Sequence, residues 1–182
     1  MFETFKAAAE AAKAEVLRFR TAGEAVAFLA GFLAENGVAE APQSTALCAG
    51  GPWLTPEVRA RLAALPGVGF DITREAAAAA KFGISGMEWA LADTGTLAQD
   101  ATSAEQRLVS TLVKVHVAWV PASGLLPDLA SLLRRIDPRK ARYVALVTGP
   151  SRTADIERVL TIGVHGPERL LVLVVDDLPV GA

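Results

Sequence analysis

The chain has 182 residues, 52% of them hydrophobic and 21% charged, with 18 basic and 20 acidic side chains for a net charge of −2. This composition fits one globular domain of roughly 100–200 residues, 1–182, and argues against disorder. Interspersed charges of both signs leave no basic field to neutralise phosphates, so nucleic-acid binding is not expected.

Residues 2–20 read as an alanine-rich helix whose large apolar groups are Phe2, Phe5, Val16 and Phe19. They belong to a helical N-terminal segment, 1–36, that is expected to pack at the domain edge or on a partner. A second helix starts at Thr21, where Thr21 and Glu24 have capping-box spacing, and ends at Asn36-Gly37. Ala46–Ala49 is a short strand closed by Gly50-Gly51-Pro52, and Thr55-Pro56 opens a helix with proline at its first position. Gly67–Ile72 reads as a strand and Thr73–Lys81 as a helix, followed by Phe82-Gly83-Ile84-Ser85-Gly86.

Residues 88–92 and 96–99 read as two strands joined through Asp93-Thr94-Gly95. Ser103 and Gln106 repeat the capping-box spacing for a helix near 104–112. Val113–Val120 is a strand, Leu125–Ile136 an amphipathic helix, and Arg142–Thr148 a strand. A helix is expected from about Thr153 to Leu160, before the last strand, Leu170–Val175. Alternation of strands and helices implies a three-layer Rossmann-like α/β domain, with a mostly parallel, mixed sheet and helices on both faces. The uninterrupted apolar strands agree, because parallel strands are buried on both sides.

No segment reaches the ~18–20 apolar residues needed to span a bilayer. The N-terminus carries charges early, at Glu3, Lys6 and Glu10, unlike a signal peptide, so a cytoplasmic location is expected. One cysteine, Cys48, permits no disulfide within the chain and no iron–sulfur cluster held by this chain alone, which usually takes four thiolates. In the apolar run Thr45–Ala49 it reads as a buried small hydrophobe.

Neither G-x-G-x-x-G nor G-x-x-x-x-G-K-[ST] is present, nor the G-x-S-x-G elbow of serine hydrolases, nor a metal-ligand spacing. Three stretches carry chemistry. Asp93-Thr94-Gly95-Thr96 places hydroxyls, a carboxylate and a glycine in one turn, which either holds an anion or carbonyl or simply caps its own backbone. Gly149-Pro150-Ser151-Arg152-Thr153 follows a strand, where ligands of open α/β sheets sit. Arg152 is a candidate partner for a carboxylate or phosphate, whereas Asp155 and Glu157 favour a helix dipole and repel an anion. Gly163-Val164-His165-Gly166-Pro167 precedes the last strand. His165, His116 and Asp155 are the candidate catalytic groups, with His116 also read as a core histidine on an apolar strand.

Gly83-Ile84-Ser85, Ala92-Asp93-Thr94-Gly95-Thr96, Arg107 with Ser110, and Val115-His116-Val117 together resemble the central pattern of the lactate utilisation protein C family. Gly149-Pro150-Ser151-Arg152-Thr153-Ala154-Asp155-Ile156-Glu157 and Gly163–Pro167 resemble its C-terminal signature, so the likeness covers roughly residues 80–175. Leu112-Val113 departs from it, where a proline is expected before the histidine strand.

The resemblance implies a fold similar to coenzyme A transferases, glucosamine-6-phosphate deaminase, ribose-5-phosphate isomerase and formyltetrahydrofolate cyclo-ligase. It also implies a part in the oxidation of L-lactate to pyruvate beside two iron–sulfur partner proteins. This chain would be the cluster-free member, without a cofactor of its own, binding a small organic acid. The resemblance assigns no residue-level mechanism; from the turn and the loops themselves, the candidate ligand residues are Asp93, Thr94, Gly95, Thr96, Gly149, Pro150, Ser151, Arg152, Thr153, Asp155, Glu157 and Gly166. Two alternatives stand beside it: a free-standing enzyme for a phosphosugar, a folate or an acyl-coenzyme A, and a scaffold whose first helix docks a partner. A homo-oligomer is compatible with each.

Overall fold

Long apolar runs cannot leave either face to water, and they organise the molecule around a buried parallel sheet. The computed structural model describes residues 1–41, 43–137, 139–154, 160–163 and 165–179. The first half holds α1 (Phe2–Ala11), β1 (Glu15–Phe19), α2 (Ala22–Glu35), β2 (Ala46–Cys48), α3 (Pro56–Ala63), β3 (Val68–Gly69), α4 (Arg74–Ala79), β4 (Phe82–Gly86) and β5 (Trp89–Leu91). The second half holds β6 (Thr96–Asp100), α5 (Ala104–Thr111), β7 (Val115–Pro121), β8 (Leu125–Leu126), α6 (Leu129–Leu133), β9 (Val144–Val147), β10 (Arg152–Ala154), β11 (Leu160–Ile162) and β12 (Arg169–Val175).

Six strands form the main sheet in the order β1-β12-β7-β4-β2-β3, and every neighbouring pair is parallel. β7 is buried at every position. One face of the sheet, carrying Val117, Trp119, Leu171 and Leu173, packs on α2 and α3 through Val26, Leu29, Leu33, Val58 and Leu62. The other face is covered by α1 through Phe5 and Ala9, and by α4 and α5 through Ala77 and Val109. The antiparallel hairpin lies outside the main sheet, in a second sheet ordered β8-β5-β6-β9. That sheet puts Ala90 and Leu97 against α1 and the main sheet, and Leu91 and Ala98 against Leu132 of α6. The three-layer α/β reading is thus the observed one, with antiparallel strands segregated into the outer layer.

Thr21 caps α2 by accepting from Glu24 N at 3.1 Å, and proline occupies the start of α3, as their sequences predict. Four expectations are corrected. Residues 2–20 are not one helix: α1 ends at Ala11, Lys13 turns the chain with φ 71°, and residues 15–19 become an edge strand with Val16 beside Val172. Alanine carries the helix that far, but the open edge of β12 decides the conformation of Val16–Phe19, since strand preference depends on what lies alongside.

The 125–136 helix shrinks to α6, because Leu126 precedes Pro127 and is pushed toward extended backbone; it pairs with β5, and Asp128 caps the short helix by accepting from Ser131 N at 2.7 Å. Ser103 makes no side-chain cap bond, and Gln106 bonds elsewhere. Finally, both described ends of the helix expected from about Thr153 to Leu160 are strand instead: Arg152–Ala154 and Leu160–Ile162 pair antiparallel, Arg152 opposite Ile162, while residues 155–159 lie outside the described residues. The β-branched residues Thr153, Thr161 and Ile162 suit that pairing better than a helix.

Candidate functional site

The two motif stretches come together, but around α1 rather than around an opening. β6 and β9 are neighbours, which sets Thr96 Oγ1 and Thr148 Oγ1 2.8 Å apart. Gly95 (φ 66°) lies against the backbone of Ala8 and Ala9, and Gly149 (φ 67°) against the carbonyl of Ala12, so neither position has room for a Cβ. Arg152 donates to that same Ala12 carbonyl at 2.9 Å. The end of α1 is thus clamped between the two motifs, with Pro150 buried beside them. Asp93 and Thr94 are exposed at the turn, bonded to each other at 3.2 Å. Ser151 N donates to Pro167 O at 2.8 Å and accepts at its carbonyl from Gly163 N, and Gly166 packs on the Ser151 side chain. Asp155 and Glu157 lie outside the described residues. With β10 at Arg152–Ala154, no helix N-terminus presents N–H groups at this loop among the described residues.

The two histidines occupy different environments. His116 is wholly buried in β7, its Nε2 2.9 Å from Ser85 Oγ, while Nδ1 has no partner among the described residues. Burial holds its pKa down at about 4, so it is neutral at physiological pH and matches the core reading. His165 is exposed and lines a cleft of about 450 Å³ with Lys114, Gly166 and Glu168, at the amino ends of β7 and β12. Cys48 is buried as expected, and burial pushes its thiol up to about 12, against the small opposing effect of Arg59. Among the described residues no group of three or more His, Cys, Asp and Glu is arranged to hold a metal ion.

Topology marks another place. From β2 the chain moves outward to β3, then returns across β2 to β4, and the order continues through β7 to β12. Open α/β sheets bind ligands where the order reverses, outside the carboxyl ends of the strands. Here that point lies between the loops after β2 and β4, Ala49–Pro52 and Met87–Glu88. Two glutamines tie these loops: Gln99 Nε2 donates to Gly86 O at 2.6 Å and to Gln106 Oε1 at 2.7 Å, and Gln106 donates to Gly50 O. Gln99 is fully buried, and its Oε1 lacks a partner among the described residues. Trp53 donates to Ala49 O at 3.2 Å and stacks, tilted, on Trp119 with ring centres 5.1 Å apart. Its Cδ1 sits where a Cβ at Gly86 would come within 2.6 Å.

Above this aromatic pair Glu88 turns inward. Its Oε2 accepts from Asp100 N at 2.9 Å, and burial raises its carboxyl above the usual carboxylate range, partly offset by backbone hydrogen bonds. Glu88 and Trp119 line a small recess together with Trp53 and Pro121. Beside it Glu88, Trp89, Arg135 and Lys140 line a cleft of about 460 Å³. None of Glu88, Gln99, Trp53 or Trp119 stood out in the sequence, and Gln106 did so only as a helix-capping residue. The available signal was the pair of glycine-ended apolar runs, Ala46–Gly51 and Phe82–Gly86, whose adjacency depends on strand order.

A family model described as LUD domain matches residues 2–175. A protein of Exiguobacterium sp. named Lactate utilization protein C is 35% identical over 114 residues, covering 59% of this chain and 50% of that protein. Its namesake in Halalkalibacterium halodurans is 34% identical over 109 residues, 57% of this chain and 47% of that one. Lactate utilization protein C 1 of Bacillus mycoides is 36% identical over 107 residues, 56% and 46% of the two chains. The chain spans about half the length of the curated relatives it matches. A crystal structure of a DUF162 family protein from Deinococcus radiodurans superposes with TM-score 0.65 at 21% identity, covering 96% of this chain and 95% of that one, and shares the fold.

Proposed function

Because this chain belongs to the LUD domain family, we propose that it serves L-lactate utilisation, as a component of the system that oxidises L-lactate to pyruvate. What carries this reading is the likeness to curated relatives named for lactate utilisation. The oxidation releases two electrons and two protons. A single buried cysteine does not supply the thiolates of a cluster, so in this reading the electrons pass to clusters on iron–sulfur partner proteins, in the cytoplasm.

The part of the two motifs in this reading is to seat α1, with Gly95, Gly149 and Arg152 as its contacts. The organic acid enters from the carboxyl ends of the parallel strands. The test is deletion of the gene followed by growth on L-lactate, in a background without another lactate dehydrogenase. Growth is expected to fail and to return with the wild-type gene; unimpaired growth refutes the reading.

The width of the cleft beside Glu88 favours a second reading, a free-standing enzyme for a phosphosugar, a folate or an acyl-coenzyme A. An unimpaired deletion strain, joined to thermal stabilisation by one of those compounds, would select it.

A further inference from the structure

β9 is the last strand of the second sheet, and its outer edge pairs with no strand among the described residues. Ala101 N donates to Tyr143 O at 2.8 Å, which sets the alternation along the strand. Tyr143, Ala145 and Val147 therefore bond to β6, and the N–H and C=O groups of Val144 and Leu146 face outward. Natural sheets blunt such an edge with lysine, proline, a bulge or an inward charge. Val144-Ala145-Leu146-Val147 has none of these, and its register against β6 is unbroken.

Its side chains add an apolar surface. Val144 and Leu146 share the sheet face of Ala98, and Leu146 is 50% exposed. α6, which covers that face through Leu132, leaves Leu129 and Leu133 exposed as well. Four of the eight large hydrophobic side chains exposed among the described residues thus sit on one edge strand and on the helix over the same sheet. Such clustering marks an interaction surface.

Charge indicates what covers it, because the two ends of the sheet differ. At the Val144 end stand Arg134, Arg135, Arg139, Lys140 and Arg142 against Asp137, Asp100 and Glu88, an excess of two positive charges. At the Thr148 end stand Asp93, exposed in the turn after β5, and Asp128, at the start of α6. Lys13 and Arg152 at that end belong to the inner side, where α1 ends and Arg152 donates to Ala12 O. A second copy turned about a two-fold axis and paired antiparallel lays the basic end of one strand on the acidic end of the other. Arg142 then faces Thr148 of the second copy, and the two Arg142 backbones stand about 20 Å apart, beyond a Debye length of about 8 Å. A parallel copy would stack the basic ends on each other.

We propose that the chain forms a two-fold dimer through β9, with Val144 opposite Leu146 of the second copy and Ala145 on the axis, so that two four-stranded sheets become one of eight strands. The other antiparallel register with outward groups facing sets Val144 opposite Thr148 and loses the apolar pairs. Two-fold closure uses up both edges and stops growth at two copies. This surface stands apart from the lactate reading and does not require it.

The experiment is sedimentation velocity on the whole chain from about 1 to about 200 µM, a range around the micromolar affinity expected of so short a strand pairing. The wild type is expected to pass from monomer to dimer. Leu146→Lys, at a half-exposed position, is expected to stay monomeric with an unchanged Tm. Ala145→Cys is expected to give a disulfide-linked dimer on mild oxidation, since residues opposed in a non-hydrogen-bonded pair stand about 4.5 Å apart at Cα. Cys48 is buried and does not compete. The proposal is overturned if the wild type stays monomeric throughout, which leaves the edge to a different protein. It is equally overturned if Leu146→Lys dimerises as the wild type does, or if Ala145→Cys cross-links no better than the wild type.

Discussion

Gly149 rests on the carbonyl of Ala12 with φ 67°, and Arg152 donates to the same carbonyl at 2.9 Å, so a loop near the C-terminus closes the first helix. A side chain at Gly149 meets two obstacles: the left-handed backbone and the absence of space. Crowding a packed site costs about 1–3 kcal/mol, and left-handed backbone adds about 1–2. Gly149→Ala is therefore expected to lower stability by about 2–5 kcal/mol in urea unfolding, and Gly95→Ala to do the same against Ala9. Wild-type midpoints in both variants would show that the clamp does not exist.

The same clamp makes α1 part of the core. Phe5 is 0% exposed and packs with Met87, Ala90 and Leu97. Phe5→Ala is expected to cost about 3–5 kcal/mol, the usual loss for a buried phenylalanine. Amide exchange in residues 2–11 should be slow in the wild type and fast in the variant. A loss under about 1 kcal/mol is what a merely docked helix predicts.

His116 sets a pH dependence whose sign is fixed by burial. Its pKa falls from 6.5 in the free side chain to about 4 in the fold, so between these values the unfolded chain binds the extra proton. The stability that His116 contributes is complete above about pH 6.5 and is lost as pH falls toward 4, by about 3 kcal/mol in all. Urea unfolding at pH 7.5 and at pH 4.5 measures this. His116→Asn keeps a donor and acceptor near Ser85 and is expected to flatten the slope over that interval; an unchanged slope assigns the effect to other groups.

Cys48 should behave as a burial probe. With its thiol pushed from 9.0 to about 12, the thiolate fraction near pH 8 falls about a thousandfold. Labelling by a disulfide reagent is expected to be negligible in the native protein and complete in urea. Fast labelling without denaturant would contradict its place in β2.

Local signals fared differently along the chain. The cap at Thr21 and the helix starts at Thr55-Pro56 and Thr73 were legible, because a side chain three residues from its backbone partner needs no tertiary help. The hairpin about Asp93-Thr94-Gly95 was legible for the same reason. Val16–Phe19 and Arg152–Ala154 were not, since each takes its conformation from a strand far away or across a hairpin. Ser103 and Gln106 carried the right spacing, yet Gln106 found better partners in Gly50 and Gln99.

By itself the sequence determined the α/β class, the buried parallel strands and the family, because these follow from periodicity, composition and motifs of contiguous residues. Tertiary structure decided what the motifs touch and where the strand order reverses. Gly95 and Gly149 stand 54 positions apart, and only the pairing of β6 with β9 brings them to one helix. Glu88, Gln99 and Trp119 likewise share no spacing: they lie after β4, in β6 and in β7, and only the packing of the second sheet on the main one brings them together.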